Sequence, residues 1–306
     1  MHPKSLFSLA LALALAAFAS HDPQAWAQAE KKIPVVASFS ILADLTRQVG
    51  GDKVEVKSLV GPEGDVHVYQ PSPADAQSLA KAKLIVINGF ALEGWMSRLI
   101  AAAGAHAPVV IATEGVTPRE GDAENGEKGV DPHAWQSVAN AKTYIANILA
   151  GLIAADPAEA DFFRARAKQY QAQLDATDLK VRAAMAEIPP QNRRIITTHD
   201  AFGYFGQAYG FAFIAPEGLS TESEPSARDV ARLIVQIRKE KAPAVFLENI
   251  SDPRLMQRIA EESGARIGGT LFSDSLSPPD GPAATYIAMM EHNISELKEA
   301  LVPPVR

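Results

Sequence analysis

"DPAEADFFRARAKQYQAQLDATDLKVRAAMAEIPP", residues 156–190, decides how the chain is organised. Asp156 suits a helix N-cap, and Pro157 suits the first helical position, where its missing N–H costs nothing. No glycine or further proline interrupts the run before Pro189 and Pro190, so the pattern predicts one helix over 156–188. The stretch from Pro157 to Ile188 would reach about 48 Å at 1.5 Å per residue, too long for a helix confined to one small α/β layer. It reads as a beam joining two halves.

On both sides of it the chain alternates strand-like runs with helical patterns. Before it come "IPVVASF", the helical "ILADLTRQVGG", "KVEVKSLV", the helical "PADAQSLAKA", "KLIVING", a helix over "ALEGWMSRLIAAAG", and "APVVIAT". After it come "RRIITTH", "AFGYFGQAYG", "FAFIAP", "SARDVARLIVQIRKEK", "PAVFLEN", "SDPRLMQRIAEESG", "ARIGGTLF" and a last helix in "PAATYIAMMEHNISELKEAL". That is the rhythm of parallel sheets covered by helices. The expected fold is therefore α/β, two parallel-sheet lobes joined by one long backbone helix. The divisions are an N-terminal lobe over 30–155, the linking helix over 156–188 and a C-terminal lobe over 189–306. The polar, Gly-rich stretch 114–130 shows no periodicity and is expected to be a surface connection. No repeat is visible by residue identity, so any duplication is one of topology.

Residues 1–29 stand apart. A basic start at Lys4, an apolar run from Leu6 to Ala19 and the small-x-small site Ala27-Gln28-Ala29 predict a cleaved secretory signal peptide. The net charge is −7, and it is unchanged when those residues are removed. A mildly acidic surface argues against nucleic acid and anionic lipid as partners. The sequence contains no cysteine, so it offers no disulfide, no thiolate ligand and no thiol for lipid attachment. A soluble, unlipidated periplasmic protein is expected.

Of 7 histidines, His2 and His21 leave with the signal. His106 ends a helix, where a partly charged ring is favoured, and His292 sits mid-helix among charged neighbours and is expected to be solvated. His67, His133 and His199 share another context: each lies where the chain leaves a strand or enters a helix beside one. Ligand sites in open α/β sheets form at the carboxyl ends of strands. Asp274, after the last strand, obeys the same rule. Two of these four fall in each lobe, so they could converge on the cleft and hold one divalent ion; alternatively, the histidines tie down their loops by hydrogen bonds. Asp131 and Asp200 stand where they could accept from imidazole N–H groups or serve as turn residues, and Glu248 is a further candidate to support a ligand. Ser72 with Asp75, and Ser226 with Asp229, carry the spacing of capping boxes.

These segments resemble the periplasmic zinc- and manganese-binding proteins that feed ABC transporters. In that family a D-x-H-x-Y-x-P-x-P-x-D segment is matched by Asp65, His67, Tyr69, Pro71, Pro73 and Asp75. D-P-H-x-W is matched by Asp131 to Trp135, H-D-A-F-x-Y-F by His199 to Phe205, and D-S-L by Asp274 to Leu276. "NGFALEGW" (88–95) and "EPSARD" (224–229) also look like family segments. The resemblance spans essentially the whole of the chain after residue 29. It implies His67, His133, His199 and Asp274 as metal ligands in the interlobe cleft. It implies a membrane permease as partner, with a periplasmic metallochaperone as a further one, and the protein is expected to be a monomer. Two departures stand out: Gln136-Ser137-Val138 replaces a common Asp-Pro turn, and the acidic loop 114–130 has no histidine where zinc members often carry many.

Manganese-type relatives usually place a glutamate at the third ligand position. His199 instead gives three nitrogens and one carboxylate, a set that suits Zn²⁺, with Mn²⁺ as the alternative cargo. Other expectations are a metallochaperone or adhesin using the same site. Remoter is a zinc hydrolase with Glu222, Glu224 or Glu248 as general base; four protein donors would close the position such an enzyme keeps open.

Overall fold

The computed structural model describes residues 32–122, 128–240 and 242–303, so the expected signal peptide and its cleavage site lie outside the described residues. The first lobe opens with β1 (Ile33–Phe39), α1 (Ser40–Gly50), β2 (Val54–Val60), α2 (Pro73–Lys81), β3 (Leu84–Ile87), α3 (Met96–Ala103) and β4 (Val109–Ile111). Its four strands are parallel in the order β2-β1-β3-β4. The inner strands β1 and β3 are almost continuously apolar and buried, as strands covered on both faces must be.

A short antiparallel hairpin follows, β5 (Glu120–Asp122) with β6 (Lys128–Val130), inside the stretch expected to be a surface connection. Three-residue strands centred on glycine leave no periodicity to detect. Then come α4 (Val138–Ala155) and α5 (Ala160–Ala186). Among the described helices α4 alone is long and apolar enough to cross a membrane by composition, but Val138, Ala141, Tyr144, Ile145, Ile148 and Leu152 pack into the core.

The second lobe contains β7 (Arg194–Ile196), α6 (Gly203–Tyr209), β8 (Ala212–Ile214), α7 (Ala227–Glu240), β9 (Ala244–Glu248), α8 (Arg254–Ser263), β10 (Arg266–Leu271) and α9 (Tyr286–Leu301). Its sheet is parallel in the order β10-β9-β7-β8. Counted within each lobe, both sheets run second-first-third-fourth, so the duplication is indeed topological.

The long helix is 27 residues, about 40 Å, somewhat shorter than expected. Pro157–Glu159 form a tighter turn, in which Asp156 accepts from the Ala158 N–H at 3.2 Å. Its buried stripe, Phe163, Ala167, Tyr170, Leu174, Thr177, Val181 and Ala184, alternates steps of four and three, one face of a helix packed along its whole length. The first half is tied to the first lobe by Arg166 Nε donating to Gln48 O (3.0 Å) and by Lys53–Glu159 (3.2 Å). The second half is tied to the other lobe by Tyr209 Oη donating to Asp178 Oδ1 (2.8 Å) and by Lys180–Glu291 (2.8 Å). One apolar core runs across both lobes, from Ile33 to Leu301. A smaller core of Ile196, Leu233, Ile237, Val245, Met256 and Ile259 lies between the second sheet and α7 and α8.

Two further expectations need correcting. The helix read from Ala91 begins only at Met96, because Gly89, Phe90 and Ala91 take left-handed φ values of 92°, 51° and 61°. Such a conformation costs a non-glycine residue about 1–2 kcal/mol. It is held by buried Glu93, whose Oε1 accepts from Ser38 Oγ (2.6 Å) and the Asn88 N–H (2.7 Å), and whose Oε2 accepts from the Gly89 N–H (3.3 Å). His292, expected in solvent, is partly buried: its ring lies edge-on to Phe272 at 5.1 Å, and Nε2 is 3.0 Å from Thr270 O.

Candidate metal centre

His67 stands in the loop after β2. That loop is pinned by Trp95 Nε1 donating to Val66 O (3.0 Å) and by the His67 N–H donating to Asp65 Oδ1 (2.8 Å). Beyond it, Ser72 and Asp75 form the expected capping box of α2, and Tyr69 Oη also donates to Asp75 Oδ2 (2.8 Å). His133 precedes a short turn, Ala134–Gln136, that leads into α4. Asn88 Nδ2 donates to Pro132 O (2.9 Å), so the strained 88–93 turn sets the height of this loop. His199 follows β7, where the Thr198 and His199 N–H groups both donate to Glu248 Oε1 (2.7 and 3.0 Å). Asp274 follows β10, fixed by Asn293, which exchanges hydrogen bonds with both main-chain groups of Phe272 (2.9 and 2.8 Å).

The four sequence candidates come together. One donor atom from each lies within 4.8 Å of all the others. His133, His199 and Asp274 are 0 % exposed and His67 is 8 %. His133 Nε2 is 3.3 Å from the Nε2 of His67 and 3.3 Å from that of His199. Asp274 Oδ2 is 3.0 Å from His67 Nε2, 3.2 Å from His199 Nε2 and 3.7 Å from His133 Nε2. Four donors at about 2.0–2.1 Å from a tetrahedral ion are about 3.3 Å from one another. The spacing fits a coordination shell, with three ring nitrogens and one carboxylate oxygen facing a common point.

Two rings have carboxylates on their far side. Asp131 Oδ1 lies 2.9 Å from His133 Nδ1 and accepts from the His133 N–H at 2.9 Å, while its Oδ2 accepts from Arg119 Nη1 at 2.7 Å. Glu248 Oε2 lies 2.6 Å from His199 Nδ1, a close ion contact off the line of a straight hydrogen bond. A carboxylate on Nδ1 draws the ring proton there and leaves the Nε2 lone pair facing the centre, more basic than in a free imidazole. Asp131 fills the role its sequence position allowed. Beside His199 that role belongs to Glu248; Asp200 gives its N–H to Gly218 O (3.0 Å), and its carboxylate lies against Gly121 of β5.

The electrostatics follow from this packing. Burial alone would push His133 down, but Asp274 and Asp131 carry it up to about 9. Burial likewise works against His199, and Glu248 with Asp274 raise it well above the ordinary histidine value. Burial would raise Asp274, yet His133 and His199 hold it well below the usual carboxylate range. With no cation, the centre keeps its charge balance with protons; a divalent ion would displace them.

Of the residues weighed as a general base, Glu222 is exposed, Glu224 is exposed on the wall of a neighbouring cavity, and Glu248 is engaged with His199. Arg119 had no signal as a site residue: it lies in the hairpin stretch, and only the folded hairpin carries it to Asp131.

The family of zinc-uptake complex component A periplasmic proteins matches residues 35–300. Among curated proteins the chain is 33 % identical over 289 residues to the iron-binding protein YfeA of Yersinia pestis, covering 93 % of this chain and 90 % of that one. It is 32 % identical over 304 residues to the manganese ABC transporter substrate-binding lipoprotein PsaA of Streptococcus anginosus, covering 97 % and 96 %. Among solved structures, the periplasmic zinc-binding protein TroA from Treponema pallidum superposes with a TM-score of 0.84 at 31 % identity, over 89 % of this chain and 100 % of that one. With nearly all of the described chain matched, and both lobes and the long helix shared, this protein belongs to the periplasmic zinc-uptake component A family.

Proposed function

We propose that this chain captures Zn²⁺ in the periplasm through His67, His133, His199 and Asp274 and hands it to the permease of an ABC importer. The observation that carries the reading is the meeting of four buried donor atoms within 4.8 Å of one another, five of the six separations lying at 3.0–3.7 Å. Membership of a family of solute-binding proteins supplies the transport role and the permease with its ATPase. It also removes the hydrolase reading, which four closing donors already disfavoured.

The choice of metal rests on donor chemistry. Relatives are named for iron, manganese and zinc, so kinship alone does not select one. Three imidazoles with one carboxylate favour zinc, and zinc binds more tightly than manganese at most such sites. Isothermal titration with Zn²⁺ and Mn²⁺ in competition tests it: zinc is expected to displace manganese, and manganese prevailing at equal concentration would reject the assignment. Several relatives are named lipoproteins. This sequence has no cysteine to carry such a lipid, and we take the protein to be a soluble periplasmic monomer that receives its ion free or from a metallochaperone.

A further inference from the structure

Hydrogen bonds cross the cleft in several places, and two of these staples, each joining a first-lobe donor segment to a second-lobe one, differ in burial. The first is buried. Trp135 Nε1 and Gln136 Nε2 both donate to Ser273 O (2.9 and 2.7 Å), joining the His133 segment to the Asp274 segment. All three residues are 0 % exposed.

The second is a single pair of side chains. Thr221 Oγ1 donates to Asp65 Oδ2 at 2.6 Å, and both residues are half-buried. The loop that bears Thr221 is bonded to the main chain around His199, through the Glu217 N–H to Thr198 O (3.2 Å) and the Asp200 N–H to Gly218 O (3.0 Å). The other oxygen of Asp65 accepts from the His67 N–H. One carboxylate thus holds the His67 main chain with one oxygen and the His199 side of the cleft with the other. Behind this contact lies a cavity of about 510 Å³, lined by Asp65, Glu217, Thr221 and Glu224 together with residues at the start of α8. His67 is also the one of the four donors that is not wholly enclosed.

We propose that Asp65 is a positioning residue that couples closure of the cleft to the placement of His67, so that release of the divalent cation follows opening of the Asp65–Thr221 contact. This rests on the ligand set proposed above. Opening the first staple would strip two buried N–H donors from one buried carbonyl, whereas opening the second exchanges one half-buried hydroxyl bond for water. The start of the His67 loop is anchored to the second lobe by the Glu63 N–H donating to Leu276 O (3.0 Å) and by Ser275 Oγ donating to Gly61 O (3.2 Å). When Thr221 lets go, Asp65 and His67 stay held to the first lobe through Val66 and Trp95, so they part from the His199 side as the lobes open.

The test measures the rate at which a chelator in excess strips Zn²⁺ from the full mature chain, with wild type, Thr221→Val, Asp65→Ala and the double variant. Thr221→Val keeps the shape of the side chain and removes only the bridge; dissociation is expected to quicken about tenfold, with the melting temperature of the metal-free protein little changed. Asp65→Ala should be at least as fast. The double variant should be no faster than Asp65→Ala, because Thr221 acts through Asp65. A Thr221→Val rate within twofold of wild type, or single effects that multiply in the double variant, would overturn the inference while leaving the ligand set standing. If Asp65→Ala does not fold, Thr221→Val alone decides. A wild-type chain that retains no Zn²⁺ overturns the ligand set and this inference with it.

Discussion

The first lobe contains the same three-residue device twice, Asp65-Val66-His67 and Asp131-Pro132-His133. In both, the aspartate accepts from the histidine N–H two residues on, at 2.8 and 2.9 Å. Beyond that bond they part. Asp131 is 0 % exposed and turns inward to Nδ1 of its own histidine, with Arg119 closing its other oxygen. Asp65 is half-buried and spends its second oxygen on Thr221, in the opposite lobe. One local motif therefore builds a fixed donor in one place and a donor dependent on lobe closure in the other. The local sequence fixes the loop shape, and tertiary neighbours fix what it does.

The largest expected effect removes a donor outright. His133→Ala or His199→Ala should weaken Zn²⁺ binding by more than ~100-fold in calorimetry, and an unaltered affinity would take that ring out of the centre. Next comes the partner of the fixed ring: Asp131→Asn should cost about 10–100-fold in affinity, as should Glu248→Gln at His199. Equal losses from Asp131→Asn and Asp65→Asn would erase the contrast between the two loops.

Acidity acts on the same pair. Binding must expel the proton that His133 holds up to about 9 in the metal-free centre. Affinity should therefore rise as pH climbs toward 9 and fall as pH drops, by about tenfold per pH unit for each proton released. Competition with a chelator of known affinity at pH 6, 7 and 8 measures the slope, and a flat profile would contradict the assignment. A smaller effect is expected from Arg119→Met, which leaves Asp131 without its cation: about 1–3 kcal/mol of stability in denaturant unfolding, allowing for an arginine side chain that is 30 % exposed. His106→Ala, in the exposed loop after α3, should leave affinity within about twofold, in the range of ordinary surface changes.

Much of this was legible in the chain itself. The β-α alternation and the unbroken run after Pro157 announce two lobes on a beam, because periodicity and helix breakers are local signals. The rule that sites gather at the carboxyl ends of strands singles out the four residues as candidates, and the motif resemblance is what makes them a ligand set. What stayed hidden depends on distant neighbours. Nothing near Arg119 says that a hairpin will bring it to Asp131. Glu248 lies 49 positions from His199 and meets it only because β7 and β9 are adjacent in the sheet. The left-handed turn at Phe90 and Ala91 defeats a helical pattern because buried Glu93 gathers the N–H groups around it. His292 finds its place against Phe272 only once α9 lies on β10.

Both tryptophans of the described chain stand at these loops. Trp95 holds the carbonyl beside His67, and Trp135 lies edge-on to the His133 ring with its centroid 5.3 Å away. An indole dims when a protonated imidazole sits close by, so expelling that proton should brighten Trp135 as an ion arrives. Trp95 should answer instead to movement of its loop. The protein thus carries two built-in optical reporters, one for occupancy and one for motion, and replacing either with phenylalanine would isolate the other's signal.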